Sequence, residues 1–218
     1  ARACIAHLIP KFVLLSAGCV TRPNALGTRL VNKLTELSKW YGDCDWMDAK
    51  VAGEAIVRDL YQTAPANANV AYSIVRTAAA LSDKLPVNAD ELLVLQGDVY
   101  SSAEPISREN VAHMVIATLL KGKSTDSTTI EVCPAKRLYK NDEANFLDVL
   151  SLPWITQTKT LDLPPELVHG TSQSYSTLLD NLVVDKDMQK FYGSIISTYR
   201  GEGIRHVQEF SCVGPASA

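Results

Sequence analysis

The groups able to carry acid–base, nucleophilic or metal chemistry are scattered through this chain, and no spacing gathers them. The five cysteines (Cys4, Cys19, Cys44, Cys133, Cys212) form no CxxC pair and no Cys/His cluster, so the pattern gives no zinc or other metal site. An odd, dispersed set reads as reduced, mostly buried thiols in a reducing compartment. His7, His113, His169 and His206 share no motif, and structural or surface roles are the expectation for each. Asp142, Glu143 and Asp148 read as a solvated face rather than a catalytic carboxylate pair. Gly201 and Gly203 follow a helical stretch and lack a third glycine. They read as a tail turn, because a phosphate cradle needs its glycines between a strand and a helix N-terminus. Lys121, Lys123, Lys136, Arg137 and Lys140 make a mild basic region whose expected role is ordinary solvation. Ser107, Arg108 and Glu109 have the pattern of a capped helix start, with the acid facing the N-terminal dipole.

With 218 residues, 46% hydrophobic and 21% charged, the chain is expected to bury a core as one domain, or as one compact domain plus an appendage. Lys plus Arg number 21 against 24 Asp plus Glu, a balance that argues against a nucleic-acid binder. The longest uncharged apolar stretch, residues 12–20, is far short of the ~20 residues that a bilayer-crossing helix needs. Any membrane contact is therefore expected to be peripheral. The chain starts at Ala1 rather than Met, which reads as a processed, trimmed or partly represented product.

The elements follow from pattern. Residues 11–20 (KFVLLSAGCV) form a short apolar run between prolines, as a fully buried parallel strand does. Leu26, Leu30, Leu34 and Leu37 then recur at helical spacing. Residues 46–61 carry Val51, Ala55, Ile56 and Leu60 on one stripe and predict an amphipathic helix, broken by Pro65 and Asn67. Residues 70–75 (VAYSIV) and 92–96, the latter closed by Gly97-Asp98, predict the next strands. Residues 108–120 predict a helix with Val111, Val115, Ile116 and Leu119 inward, Ser107 as N-cap and Gly122 at its end. Residues 128–132 predict a further strand. Strand–helix–strand, repeated, describes an α/β layer fold with parallel pairing. Beyond Arg137 the period is lost. An extended arm containing Trp154 is expected, with a short helix at 144–150, helices at 174–184 and 186–199, and a tail over 201–218. Phe191, Tyr192, Ile195, Ile196 and Tyr199 share one face of the second of these helices.

Several segments, in order, resemble the atypical short-chain dehydrogenase/reductases, in particular the NmrA-like NAD(P)-binding branch. KFVLLSAGCVTRP at 11–23 looks like that family's fifth strand, whose end carries the active-site Ser, here Ser16. MDAKVAGEAIVRDL at 47–60 looks like the following helix, where a basic residue and a Glu recur. VAYSIVRT at 70–77 is similar to the sixth strand, while ELLVLQGD at 91–98 and ISRENVAHMVIATLL at 106–120 match the later strand and helix. The resemblance covers roughly residues 5–135. It implies a partial Rossmann-like parallel sheet with flanking helices over residues 1–137, and an irregular or helical C-terminal interaction extension over 138–218.

The same resemblance shows what is lacking. No GxxGxxG turn occurs, and the four strands that would precede a fifth are not in the chain; the alternative is that residues 11–20 are the first strand of a smaller sheet. The family's Tyr-x-x-x-Lys motif matches Trp46-Met47-Asp48-Ala49-Lys50. Lys50 fits, but the indole N–H of Trp46 only donates and does not titrate near neutrality, so it cannot be a general acid or base. Tyr41 is five residues away. Thr77-Ala78-Ala79 stands where the family has Pro-Gly-Gly, and Ala cannot use the φ > 0 conformations open to Gly. If a cofactor bound, the matched positions would be Lys50, Ser16 and Thr77. The expectation is a non-catalytic, short-chain-dehydrogenase-like structural subunit or assembly factor of a photosynthetic or respiratory complex, with other protein subunits as partners and no cofactor. By family habit it would be organellar, on the stromal side of the thylakoid or, alternatively, on the mitochondrial matrix side. The alternatives are an NAD(P)-dependent oxidoreductase, or an NAD(P)-sensing regulator, whose first half is missing.

Overall fold

The computed structural model describes residues 1–18, 20, 46–77, 81–85, 87–89, 92–97, 105–134, 169 and 174–191. Its centre is a mostly parallel four-stranded sheet flanked by helices. A short helix α1 (Arg2–Ala6) leads into β1 (Lys11–Ala17), followed by the long helix α2 (Trp46–Gln62) and β2 (Ala71–Thr77). Then come β3 (Leu81–Ser82), β4 (Leu92–Leu95), β5 (Ile106–Ser107), helix α3 (Arg108–Leu120) and β6 (Thr128–Pro134). The strand order in the main sheet is β1-β2-β6-β4, and β3 pairs with β5 in a separate parallel ribbon. Lys11 to Ala17 run in register with Ala71 to Thr77, and Ser73 to Thr77 with Thr128 to Val132, both parallel.

The fully parallel pairing expected from sequence does not hold at β4, which runs antiparallel to β6, Leu92 opposite Pro134 and Leu95 opposite Glu131. All four β4 residues are buried. A continuous apolar run encodes burial on both faces, but nothing in it encodes strand direction.

Alternation splits the sheet into two faces. Phe12, Leu14, Tyr72 and Ile74 pack with Val57 and Tyr61 of α2, and Ile5 of α1 and Ala1 just before it join them. Val75, Leu92, Val94, Ile130 and Val132 pack with Val111 and Met114 of α3. Both helix stripes are rotated from those expected. On α2 the buried positions include Met47, Val51, Glu54, Val57 and Tyr61, while Ile56 is 44% exposed. An ion-paired Glu54 has taken the inward position, which turns Ile56 out. On α3 Asn110, Val111, Met114 and Thr118 face in, and Ile116 and Leu119 are half exposed. Polar Asn110 and Thr118 face inward because each is satisfied there, Asn110 by the Tyr175 hydroxyl and Thr118 by the Met114 carbonyl. The Ser107 cap is as expected, its hydroxyl accepting from the Asn110 N–H, and Gly122 adopts φ +72° just beyond the Lys121 C-cap.

The helices expected at 174–184 and 186–199 are replaced, where described, by 3-10 turns at Thr177–Leu179 and Asp185–Phe191. Asn181 has φ +59°, and the Val183 backbone is already engaged. Its N–H donates to Gln96 Oε1 and its carbonyl accepts from Gln96 Nε2, both at 2.8 Å, so neither group serves an α-helix. Leu178 and Leu179 are fully buried in the α3-side core. The expected helices around Leu26–Leu37 and at 144–150, the arm with Trp154, the Tyr192–Tyr199 face and the tail lie outside the described residues.

Gln96, fully buried at the end of β4, ties these segments together. Its Nε2 also donates to the Thr129 carbonyl, and its Oε1 lies 3.1 Å from His169 Nε2. Because Gln96 Oε1 is the accepting end, His169 carries its proton on Nε2. Burial lowers the His169 pKa below its ordinary 6.5, against a raising backbone contact from Asp180. A lowered histidine binds its proton more readily in the unfolded chain, so its stabilising contribution is complete above pH 6.5 and is lost as pH falls below it. Urea titrations at pH 7.5 and pH 5.5 should show a drop in stability that His169→Gln removes. Leu179→Ala should cost about 2–5 kcal/mol in the same assay at neutral pH.

Candidate functional site

The carboxyl ends of the parallel strands, where ligands enter open α/β sheets, bring Ser16, Arg76 and Glu131 side by side. They are in register neighbours, Ser16 opposite Arg76 and Arg76 opposite Glu131, and strand alternation turns all three toward α2. Glu54, on the inward face of α2, meets them. Arg76 donates from Nε to Glu54 Oε1 at 2.9 Å and from Nη2 to Oε2 at 2.6 Å, a bidentate fork. Arg76 Nη1 lies 3.8 Å from Glu131 Oε1. Glu54 and Glu131 have no solvent exposure and Arg76 only 3%.

The network continues down the α2 face. Arg58, one turn after Glu54, donates to Glu54 Oε2 at 3.2 Å, to Thr129 Oγ1 at 2.7 Å and to Asp185 Oδ2 at 3.0 Å. The Tyr72 and Thr129 hydroxyls donate to that same Asp185 oxygen at 2.9 and 2.8 Å. Helical spacing of four makes this possible: it stacks Glu54 and Arg58 on one side of α2, above strands that place Arg76 and Tyr72 four residues apart on one face.

These contacts fix the charge states. Burial alone would raise the Glu54 carboxyl. The charge and hydrogen bonds of Arg76, followed by Arg58 and then Ser16, outweigh it and hold Glu54 at about 2, against an ordinary 4.5. Burial would lower Arg58, but Asp185 and Glu54 together raise it despite the nearby Arg76. Burial, then Asp185, raise the Tyr72 hydroxyl above its ordinary 10. Glu54 is thus a permanent anion, Arg58 a permanent cation and Tyr72 a permanent donor. None exchanges a proton near neutrality, so none can serve as a general acid or base there.

The positions matched by resemblance lie on the elements around this network. Ser16 is 5% exposed, and its Oγ, close to Glu54, is sealed from solvent and makes no well-aligned hydrogen bond among the described residues. Lys50 is half-buried on α2, one turn before Glu54. Thr77 ends β2, half-buried, and its carbonyl accepts from the Gly18 N–H at 2.8 Å. Trp46 is the first residue of α2; its side chain, like Ala78 and Ala79, lies outside the described residues. His113 stacks on Tyr175 at 5.0 Å and lies 3.6 Å from Glu109. Among the described residues no group of three or more His, Cys, Asp and Glu side chains converges. Among them, too, no helix is long and apolar enough to cross a membrane.

The sequence reading passed over Arg58, Arg76, Glu131 and Asp185. The signal that finds two of them, and Glu54 with them, is a single charge inside an apolar pattern: Arg76 in AYSIVRT, Glu131 in TTIEVCP and Glu54 on the α2 stripe. A lone ion in such a run needs a partner of opposite sign. No protein-family model matches this chain, and no curated protein matches it.

Glu54→Gln leaves Arg76 and Arg58 short of their shared anion and should destabilise by about 3–5 kcal/mol. The depressed Glu54 pKa has a second consequence. Its contribution is complete above pH 4.5 and is lost as pH falls toward 2, on the order of 3 kcal/mol in all. Acid-unfolding curves of wild type and Glu54→Gln should therefore converge between those limits.

Proposed function

We propose that the chain is a non-catalytic, short-chain-dehydrogenase-like protein acting as a structural subunit or assembly factor of a larger complex, photosynthetic or respiratory. The observation that carries this reading is the burial of Ser16 Oγ beside a Glu54 locked in its charged state. In a reductase of the resembled family that hydroxyl polarises a substrate carbonyl, which must reach it. Here the carboxyl end of the β1–β2–β6 layer is occupied by the Glu54–Arg76–Glu131 side chains. Trp46, which only donates, in place of a titrating Tyr supports the same conclusion.

A partner role also accounts for the sheet's composition. The partly Rossmann-like order, with the parallel neighbours β1, β2 and β6, suits a sheet completed by other polypeptide. Attachment at the stromal face of a thylakoid complex, or the matrix face of a respiratory one, extends this reading on the ground of resemblance alone. Lys50, Ser16 and Thr77 would contact NAD(P) in the competing readings of a reductase or a cofactor sensor.

Fluorescence titration of the purified chain with NADPH and NADH, followed by turnover assays against simple carbonyl compounds, separates the three. No enhancement or shift of nicotinamide emission is expected. Binding without turnover replaces the subunit by a sensor, and turnover replaces it by an enzyme.

A further inference from the structure

The carboxylate of Asp185 sits in a cradle whose parts do not depend on it. Its Oδ2 accepts from Arg58 Nε at 3.0 Å, from the Tyr72 hydroxyl at 2.9 Å and from the Thr129 hydroxyl at 2.8 Å. Each donor is also held from elsewhere. Arg58 is braced through Nη1 on Glu54 Oε2 and through Nη2 on Thr129 Oγ1. Tyr72 and Thr129 are each second in their strands, and the Tyr72 ring lies 5.6 Å from that of Tyr61. Convergent donors fixed by one helix and two strands are preorganised for an anion.

The segment that delivers Asp185 is likewise held without its carboxylate. Residues 174–191 form 3-10 turns and no strand or α-helix. Leu178 and Leu179 anchor the segment in the α3-side core. Gln96 holds both backbone groups of Val183, and the Asp185 N–H donates to the Ser127 carbonyl. Removing the Asp185 side chain would therefore leave a framed space rather than a loose end. The Arg58 and Asp185 side chains are each 12% exposed, so that space opens to solvent on one side.

We propose that Arg58, Tyr72 and Thr129 form a carboxylate-binding site in which Asp185 is a built-in occupant, closing it to free carboxylates while that side chain is in place. The site lies at the amino ends of β2 and β6 and is independent of the subunit reading. Its chemistry suits a small monocarboxylate. A guanidinium edge and two hydroxyl donors surround one oxygen position, the arrangement that charge-assisted bonds to a carboxylate need. The Arg58 charge is shared with Glu54, 3.2 Å away. A dianion such as phosphate would set a second negative charge against that carboxylate.

Asp185→Gly removes the atoms of one acetate ion. Thermal midpoints of the full chain at pH 7, in sodium acetate and in sodium chloride of equal ionic strength, read occupancy of the space. Acetate should raise the midpoint of Asp185→Gly saturably and beyond chloride, while wild type should gain nothing beyond chloride. Adding Tyr72→Phe keeps the ring and removes one donor, so acetate affinity should fall about ten- to a hundredfold. If Asp185→Gly is unfolded in chloride, the same titration followed by far-UV circular dichroism should show acetate refolding it. Acetate that acts no better than chloride overturns the proposal. So does an acetate effect that is equal in wild type, or that Tyr72→Phe leaves undiminished.

Discussion

The fork between Arg76 and Glu54 is the constraint on which the rest of the α2 face depends. A guanidinium and a carboxylate withdrawn from water each carry a desolvation penalty of several kcal/mol. Only close, two-point contact in the right geometry offsets it, and here the two bonds measure 2.9 and 2.6 Å. That requirement sets the rotation of α2 about its axis, since Glu54 must point at the sheet. It also sets the height of α2 along the strands, since Arg76 sits at one fixed register position. The outward turn of Ile56 is a by-product of satisfying the ion pair.

Once Glu54 is fixed, the remaining charges fall into a chain. Arg58 follows four residues on and carries a positive charge toward the amino ends of the strands, where Asp185 is its counter-ion. Tyr72 and Thr129 supply hydroxyl donors to the same oxygen. A buried network of this kind stabilises only when every member is satisfied. The segment carrying Asp185 is accordingly a part of the folded body. Its neighbours Leu178 and Leu179 lie in the core, and its Asp185 N–H donates to the Ser127 carbonyl. A site organised for permanent charge is poorly suited to proton transfer and well suited to holding a shape.

The parts legible in the sequence were those governed by short-range pattern. The runs around Leu14, Ile74, Val94 and Ile130 announced four strands, and Ser107 announced the start of α3. Strand direction at β4 was not legible, because antiparallel pairing there depends on where the chain arrives after α3 and not on the identity of four leucine- and valine-type residues. The inward faces of both helices were misplaced for one reason. Apolar counting treats Glu54, Asn110 and Thr118 as outward residues, whereas their partners, Arg76, Tyr175 and the Met114 carbonyl, are known only in three dimensions. For the same reason the family resemblance pointed to Ser16 and Lys50 but gave no sign that Arg76 and Glu131 would crowd the space between strand ends and helix.

The Gln96 side chain has a consequence in time as well as in space. It closes β4 against β6 and then grips Val183, whose position lies 87 residues further along the chain. The His169 N–H likewise donates to the Val94 carbonyl on β4. During synthesis the sheet can therefore assemble while that flank still waits for chain that has not left the ribosome. Contacts so distant in sequence form late and slow the final step, leaving a nascent intermediate whose exposed strand invites mispairing. Chaperone demand for this protein should accordingly be concentrated in the interval between emergence of β6 and emergence of Val183.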